Sequence, residues 1–391
     1  MRNGYRIIDA DRHVMEPLEL WQELLEPEFR EYAPSRGTLA NEPLAQRVAA
    51  LGPKGMVPVP PRPMVRGKRL SHQMSERAWI EFNLLSQRRL GWTAKLQDSA
   101  AYLEDMERTG VDMAFLLPTY ALLLEGFEPL EPAVGSAYAR AYNTWLHGFC
   151  RRDPQRLRGM GLISLHEPAR MVAELERVAG FGWTTVVLRP NKIAGRTLGD
   201  PVYEPFWAAC EARSIGVALH SGAHAHAPMA GSDRFETHYG LVACAHPLEQ
   251  MMALLTLVES GVLERHPGLR VAALEAGCGW LLYWLWRLDE VHKNFQGELD
   301  GRARLKPSEY FRRQYFVTLE PDEPYLPVAL QQLGEGSLMF GTDFPHPDHG
   351  PEIVEEMLAR EAELSSQALR KILWDNAARF FGVEDARAAA P

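Results

Sequence analysis

From residue 96 onward the chain alternates short apolar runs with longer segments that carry apolar residues on one helical face. The runs predict strands at 113–117, 159–165, 184–189, 217–222, 269–275, 316–320 and 337–341, and the longer segments predict helices at 96–108, 133–151, 169–179, 201–213, 248–263, 280–292 and 323–333. With an opening strand from Arg6, the count is eight. Strand and helix in regular alternation mean a parallel sheet, and eight such units close an α/β fold of the (β/α)8 barrel, TIM type. A last helix, 365–381, carries Leu369, Ile372, Leu373, Phe380 and Phe381 on one face and is expected to cover the barrel's outside. The chain shows neither an internal repeat nor a second core, so residues 1–391 are read as one domain.

The regular pattern fails in one place. After a short helix over 17–29, residues 31–92 contain Leu51-Gly52-Pro53-Lys54-Gly55 and Pro58-Val59-Pro60-Pro61-Arg62-Pro63, which regular elements do not tolerate. This is a long excursion after the first strand, and loops of that length are functional or disordered. Met56, Met64, Trp79, Phe82 and Trp92 favour an ordered, lid-like insertion.

Composition narrows the function classes. The hydrophobic fraction of 46% and charged fraction of 24% are those of a soluble globular protein. A net charge of −9 argues against a nucleic-acid or anionic-membrane binder, since both require a basic surface. The four cysteines, at 150, 210, 244 and 278, are too far apart for metal-type pairing and read as reduced. No charged leader or uninterrupted apolar run of bilayer length stands out, and the expectation is a cytoplasmic protein.

Several strand ends carry ligand-type side chains. Ile7-Ile8-Asp9-Ala10-Asp11-Arg12-His13 places Asp9, Asp11 and His13 on one face by strand alternation. Val217-Ala218-Leu219-His220 delivers a histidine, and Leu338-Met339-Phe340-Gly341-Thr342-Asp343 delivers a carboxylate before the break at Pro345. Asp11, His13, His220 and Asp343 together suit one divalent ion with an open coordination position. The competing readings are a helix-capping Asp343 and a satisfied core histidine at 220.

Taken in order, the Asp-x-His start, the His220 strand, Glu275-Ala276-Gly277-Cys278-Gly279-Trp280, Gly341-Thr342-Asp343-Phe344-Pro345 and Asn376-Ala377-Ala378-Arg379-Phe380-Phe381-Gly382 resemble the amidohydrolase superfamily. The resemblance is to the branch containing aminocarboxymuconate-semialdehyde decarboxylase, and it runs from Asp9 to about Gly382. It implies a metal-bound barrel, often dimeric, in which Asp343 binds or flanks the ion and shuttles protons. One histidine after the fifth strand, His246 before Pro247 at a helix start, would position substrate. Two departures stand out: Asp11 where the family often has a second histidine, and Glu275 where its decarboxylases place one. Zinc is the default ion, with iron(II) or manganese as alternatives.

Glu275 could act as a base or metal ligand, or could bond the glycine-rich turn beside it. Arg189, ending the fourth strand, could meet a substrate carboxylate or a rim acid. Arg62, Arg66, Lys68 and Arg69 form a basic cluster that is either a solvated loop or a clamp for an anionic handle such as that of coenzyme A. A carboxylate is a poor proton donor at neutral pH unless its pKa is raised, so Glu275 weighs against decarboxylation. The expected activity is therefore metal-dependent hydrolysis of an amide, ester or thioester in a fairly large apolar small-molecule substrate. Nonoxidative decarboxylation of an aromatic or enoic acid is the alternative, and a metal-free scaffold barrel is the third reading.

Overall fold

The computed structural model of the chain describes residues 1–37, 62–71, 74–90, 97–223, 225–347 and 350–383. Its eight barrel strands are β1 (Ile8–Val14), β2 (Met113–Pro118), β3 (Leu157–Gly159, resuming at Gly161–Leu162), β4 (Thr185–Leu188), β5 (Gly216–Leu219), β6 (Val271–Ala273), β7 (Tyr315–Leu319) and β8 (Leu338–Phe340). Every neighbouring pair runs parallel. The ring closes where Arg12 bridges Phe344, with His13 N donating to Phe344 O at 2.7 Å and Asp343 N to Asp11 O at 2.8 Å. These strands are buried on both faces, outside by the surrounding helices and inside by one another's side chains, which is why they read as continuous apolar runs.

Helix ends follow their local chemistry. Asp98 caps Ser99–Thr109 by accepting from Ala100 N, and Gly110 ends that helix at φ 82°, a conformation costly for any residue with a Cβ. The helix expected at 248–263 instead starts at His238, capped by the Thr237 hydroxyl, and runs to Glu259. Pro247 lies inside it, so proline misplaced the start. By length and composition this 22-residue helix could cross a bilayer, contrary to the sequence expectation. Here it packs against the barrel, where buried Gln250 donates to Leu219 O and Leu274 O.

The excursion is partly described; 38–61, 72–73 and 91–96, with Met56 and Trp92, lie outside the described residues. What is described includes a small antiparallel sheet, Ser35–Arg36, Pro63–Val65 and Lys68–Arg69, and an unanticipated 15-residue helix, Glu76–Leu90. Met74, Trp79, Ile80 and Leu84 form a small apolar cluster of their own beside the main core. The helix thus adds an apolar wall above the strand ends.

Candidate metal centre

Asp11 and His13 lie at the C-terminal end of β1, His220 directly follows β5, and Asp343 comes three residues after β8. All four are buried, and one ligand atom from each lies within 4.8 Å of the others. Asp9, expected on the same face, is elsewhere. The register shifts between Asp9 and Arg12, and Asp9 turns away to accept from Thr342 N at 3.0 Å, Thr342 Oγ1 at 2.6 Å and Arg12 at 3.2 Å. It belongs to a supporting layer that holds the β1–β8 seam together.

The histidine tautomers follow from their neighbours. His13 Nδ1 lies 2.9 Å from Pro118 O and His220 Nδ1 lies 2.7 Å from Ser221 O. A carbonyl can only accept, so each Nδ1 carries the proton and each Nε2 presents a lone pair. Those two Nε2 atoms face each other at 3.0 Å. Protonation is a poor remedy, because burial pushes His13 well below its usual value and His220 down to about 4. Asp11 Oδ1, 3.9 Å from His13 Nε2 and 3.8 Å from His220 Nε2, is buried without a hydrogen-bond partner. Burial, then the charges of Glu275 and Asp9, hold the Asp11 carboxyl well above its ordinary range. A divalent cation answers all of this at once: it takes both lone pairs and the orphaned oxygen, and its charge favours the ionised carboxylate. The residues fit one such ion.

Around this set the polar contacts continue. Asp343 adopts φ 51° and puts Oδ1 3.3 Å from His13 Nε2 and 2.9 Å from His346 Nδ1. Glu275, also at φ 51°, has Oε2 2.9 Å from His220 Nε2 and 3.3 Å from His246 Nδ1. A non-glycine residue in the left-handed region is uncommon, and two of the site's carboxylates occupy it. Gly341 permits the closest approach in the site. A Cβ there would lie 2.6 Å from Asp11 Cβ, so only glycine lets β8 pack against the first ligand.

A cavity of about 550 Å³ opens over the donors. His13, His220, Glu275, His246 and His346 line its metal side, Ser71, Thr119 and His238 add further polar groups, and the Glu76–Leu90 helix supplies Ala78, Trp79, Phe82 and Leu85 with Glu81 and Asn83. Sequence reasoning passed over His346, although it follows directly on the Gly341–Pro345 motif. Its Nε2 lies 3.1 Å from Thr119 Oγ1. Glu16 was missed as well: its carboxylate accepts from the backbone N–H of Thr119, Tyr120 and Ala121, and burial pushes it up to about 7. Nothing in the local sequence distinguished it from a surface glutamate.

Other expected residues sit differently. His246 lines the cavity, but from within the His238–Glu259 helix and not from a helix start. Arg189 does not reach the cavity wall. It is fully buried and donates to Leu122 O at 2.9 Å and Gly222 O at 2.8 Å, tying the short helix Tyr120–Glu125 to the segment after β5. Arg66, Lys68 and Arg69 are exposed on the small sheet, outside the cavity wall; Arg66 stacks on Tyr32 and donates to its hydroxyl. Arg62 is buried and donates to Met74 O at 2.5 Å. Among the described residues, no lysine or arginine lines the cavity.

Comparison with known proteins overturns the expected chemistry. The chain is 23% identical over 289 residues to 2-amino-3-carboxymuconate-6-semialdehyde decarboxylase of Dictyostelium discoideum, covering 73% of this chain and 77% of that protein. It is 28% identical over 243 residues to gamma-resorcylate decarboxylase of Rhodococcus jostii, covering 58% and 72%. In fold it is similar to a 5-carboxyvanillate decarboxylase from Novosphingobium aromaticivorans, solved with manganese and 4-hydroxy-3-methoxy-5-nitrobenzoic acid, at a TM-score of 0.67 and 20% identity over 98% of this chain and 97% of that one. These proteins are decarboxylases, so the hydrolase expectation fails in favour of its alternative. The expectation had let Glu275 outweigh the family's precedent for decarboxylation, and the relatives follow the precedent. The family model described as Amidohydrolase matches residues 8–383, and the chain belongs to that family.

Proposed function

We infer that this protein is a metal-dependent nonoxidative decarboxylase of an aromatic or enoic carboxylic acid. One observation carries the reading: an apolar cavity whose described wall holds no lysine or arginine has the buried Asp11, His13, His220 and Asp343 set at its base. An anionic substrate entering such a site needs a positive partner, and the bound cation is the one this geometry supports. The named decarboxylase relatives support the same reaction class.

Asp11, His13, His220 and Asp343 would hold the ion. When bound, it would supply Lewis acidity and a positive charge for an anionic substrate. Manganese is the first choice, on the precedent of the solved manganese-bound relative. The carbon–carbon bond to the carboxylate breaks, carbon dioxide leaves, and the electron pair left on carbon takes a proton. Asp343, 2.9 Å from His346 Nδ1, delivers that proton. His246 and Glu275, 3.3 Å apart, orient the substrate's other polar groups. The apolar walls exclude water, which keeps the carbanion's alternatives few.

The test is release of carbon dioxide from a panel of hydroxylated benzoic acids by manganese-loaded protein. Release that disappears on chelation and in the His13→Ala, His220→Ala double variant supports the reading. A panel that yields no carbon dioxide while amides, esters or thioesters are cleaved would overturn it.

A further inference from the structure

Resting on that reading, we propose that the substrate is an aromatic acid bearing an extended apolar arm, several carbons long, that runs away from the metal centre along the Glu76–Leu90 helix. The cavity leaves room beyond a compact ring acid. At the ~30 Å³ one water molecule takes up in the liquid, about 550 Å³ accommodates on the order of 18 groups of that size. Benzoic acid has nine non-hydrogen atoms, and two ring hydroxyls bring the number to eleven. Roughly seven positions remain beyond the ring.

The direction of that space can be traced from ring to ring. His346 lies against His13 with centroids 4.1 Å apart, Phe82 follows at 6.3 Å from His346, and His238 at 6.5 Å from Phe82. The arm therefore leaves the metal-side histidines, passes Phe82 and heads towards the start of the His238–Glu259 helix. Along the way the apolar wall is Met74, Trp79, Phe82, Leu85, Leu123 and Val242, and the polar residues Ser71, Glu81 and Asn83 line the same cavity. Leu85 is about one turn beyond Phe82, and Val242 one turn beyond His238, so both face the far end. Among the described residues no lysine or arginine lines that wall, and its apolar side chains favour an alkyl or aryl arm.

The experiment titrates manganese-loaded, full-length protein with 2-hydroxybenzoates carrying unbranched alkyl chains of zero to seven carbons at one ring position, following affinity by calorimetry. Affinity should tighten about fourfold per added methylene, then level off once the cavity is filled. Val242→Trp fills the far end and should flatten that dependence. Leu85→Trp, at a more exposed position, provides the same check should the first variant fold poorly. An affinity that is flat or weakens with chain length in the unmodified protein overturns the proposal. Carbon dioxide release is read on the same series as a separate result. A preserved chain-length dependence with no carbon dioxide at any length would overturn the decarboxylase reading and leave the cavity's preference standing.

Discussion

Gly341→Ala tests whether the close packing of β8 on β1 is what places the first metal ligand. The added methyl would lie 2.6 Å from Asp11 Cβ, 3.3 Å from Thr318 Cγ2 and 3.4 Å from Asp11 N. Carbon atoms settle at roughly 3.5–4.0 Å, so about 1 Å must be found, and the backbone closing the barrel leaves Asp11 as the group that gives. Overpacking of this kind costs about 1–3 kcal/mol. Thermal unfolding should fall by several degrees, roughly as that cost implies for a chain of this size. The larger effect is on the ion. Asp11 Oδ1 is already 3.8–3.9 Å from the two histidine nitrogens, and displacing it by about 1 Å takes it out of coordination range. Manganese affinity, measured by calorimetry on chelator-stripped protein, should weaken about 10–100-fold, the scale seen when the support of a ligand is lost. Asp11→Asn, which keeps the size, should weaken it too. Unchanged manganese affinity in Gly341→Ala, with the expected loss of stability, would refute the claim that this contact positions a ligand.

Three further outcomes follow from the same geometry. Asp343→Asn removes the proton-carrying carboxyl while keeping its shape, and turnover at saturating manganese should drop by at least about 100-fold; near-normal turnover would place the proton donor elsewhere. Glu16 has a folded pKa of about 7, above the ordinary carboxyl value because of burial. The folded state then holds a proton that the unfolded state releases, so this group's contribution falls as pH rises between about 4.5 and 7. Denaturant titrations across that window should show the decline in the parent protein and a flatter profile in Glu16→Gln. Glu204 behaves oppositely: hydrogen bonds from Arg265 and His266 hold it below its usual value, so its contribution is present above about pH 4.5 and is lost on acidification below that. Glu204→Gln should therefore lessen acid sensitivity, while equal acid midpoints would show that the cluster is not coupled to folding.

The strand pattern was legible because parallel strands buried on both faces leave continuous apolar runs, and all eight were found within a few residues of their observed ends. The four proposed ligands were legible for a related reason: each ends or follows such a run. Alternation failed only at Asp9, where a register shift turned one carboxylate into the seam with Thr342. The Glu76–Leu90 helix was hidden by the proline-rich stretch before it, and the His238–Glu259 helix by an internal proline that resembles a start signal. Residues acting through tertiary contacts left no local trace. Glu16 is defined by three backbone N–H groups about a hundred positions away, and Arg189, readable as a substrate clamp at a strand end, is turned inward by carbonyls of Leu122 and Gly222.

The central claim is decarboxylation at the Asp11, His13, His220 and Asp343 centre. It is tested most directly by giving manganese-loaded protein a carboxyl-13C-labelled alkyl-2-hydroxybenzoate in deuterium oxide enriched in 18O. Decarboxylation at this centre should release labelled carbon dioxide in step with one solvent deuterium at the ring carbon that lost its carboxyl group, with both abolished in His13→Ala. Solvent 18O appearing in a product acid from an amide, ester or thioester substrate, with no carbon dioxide from the ring acid, would contradict it.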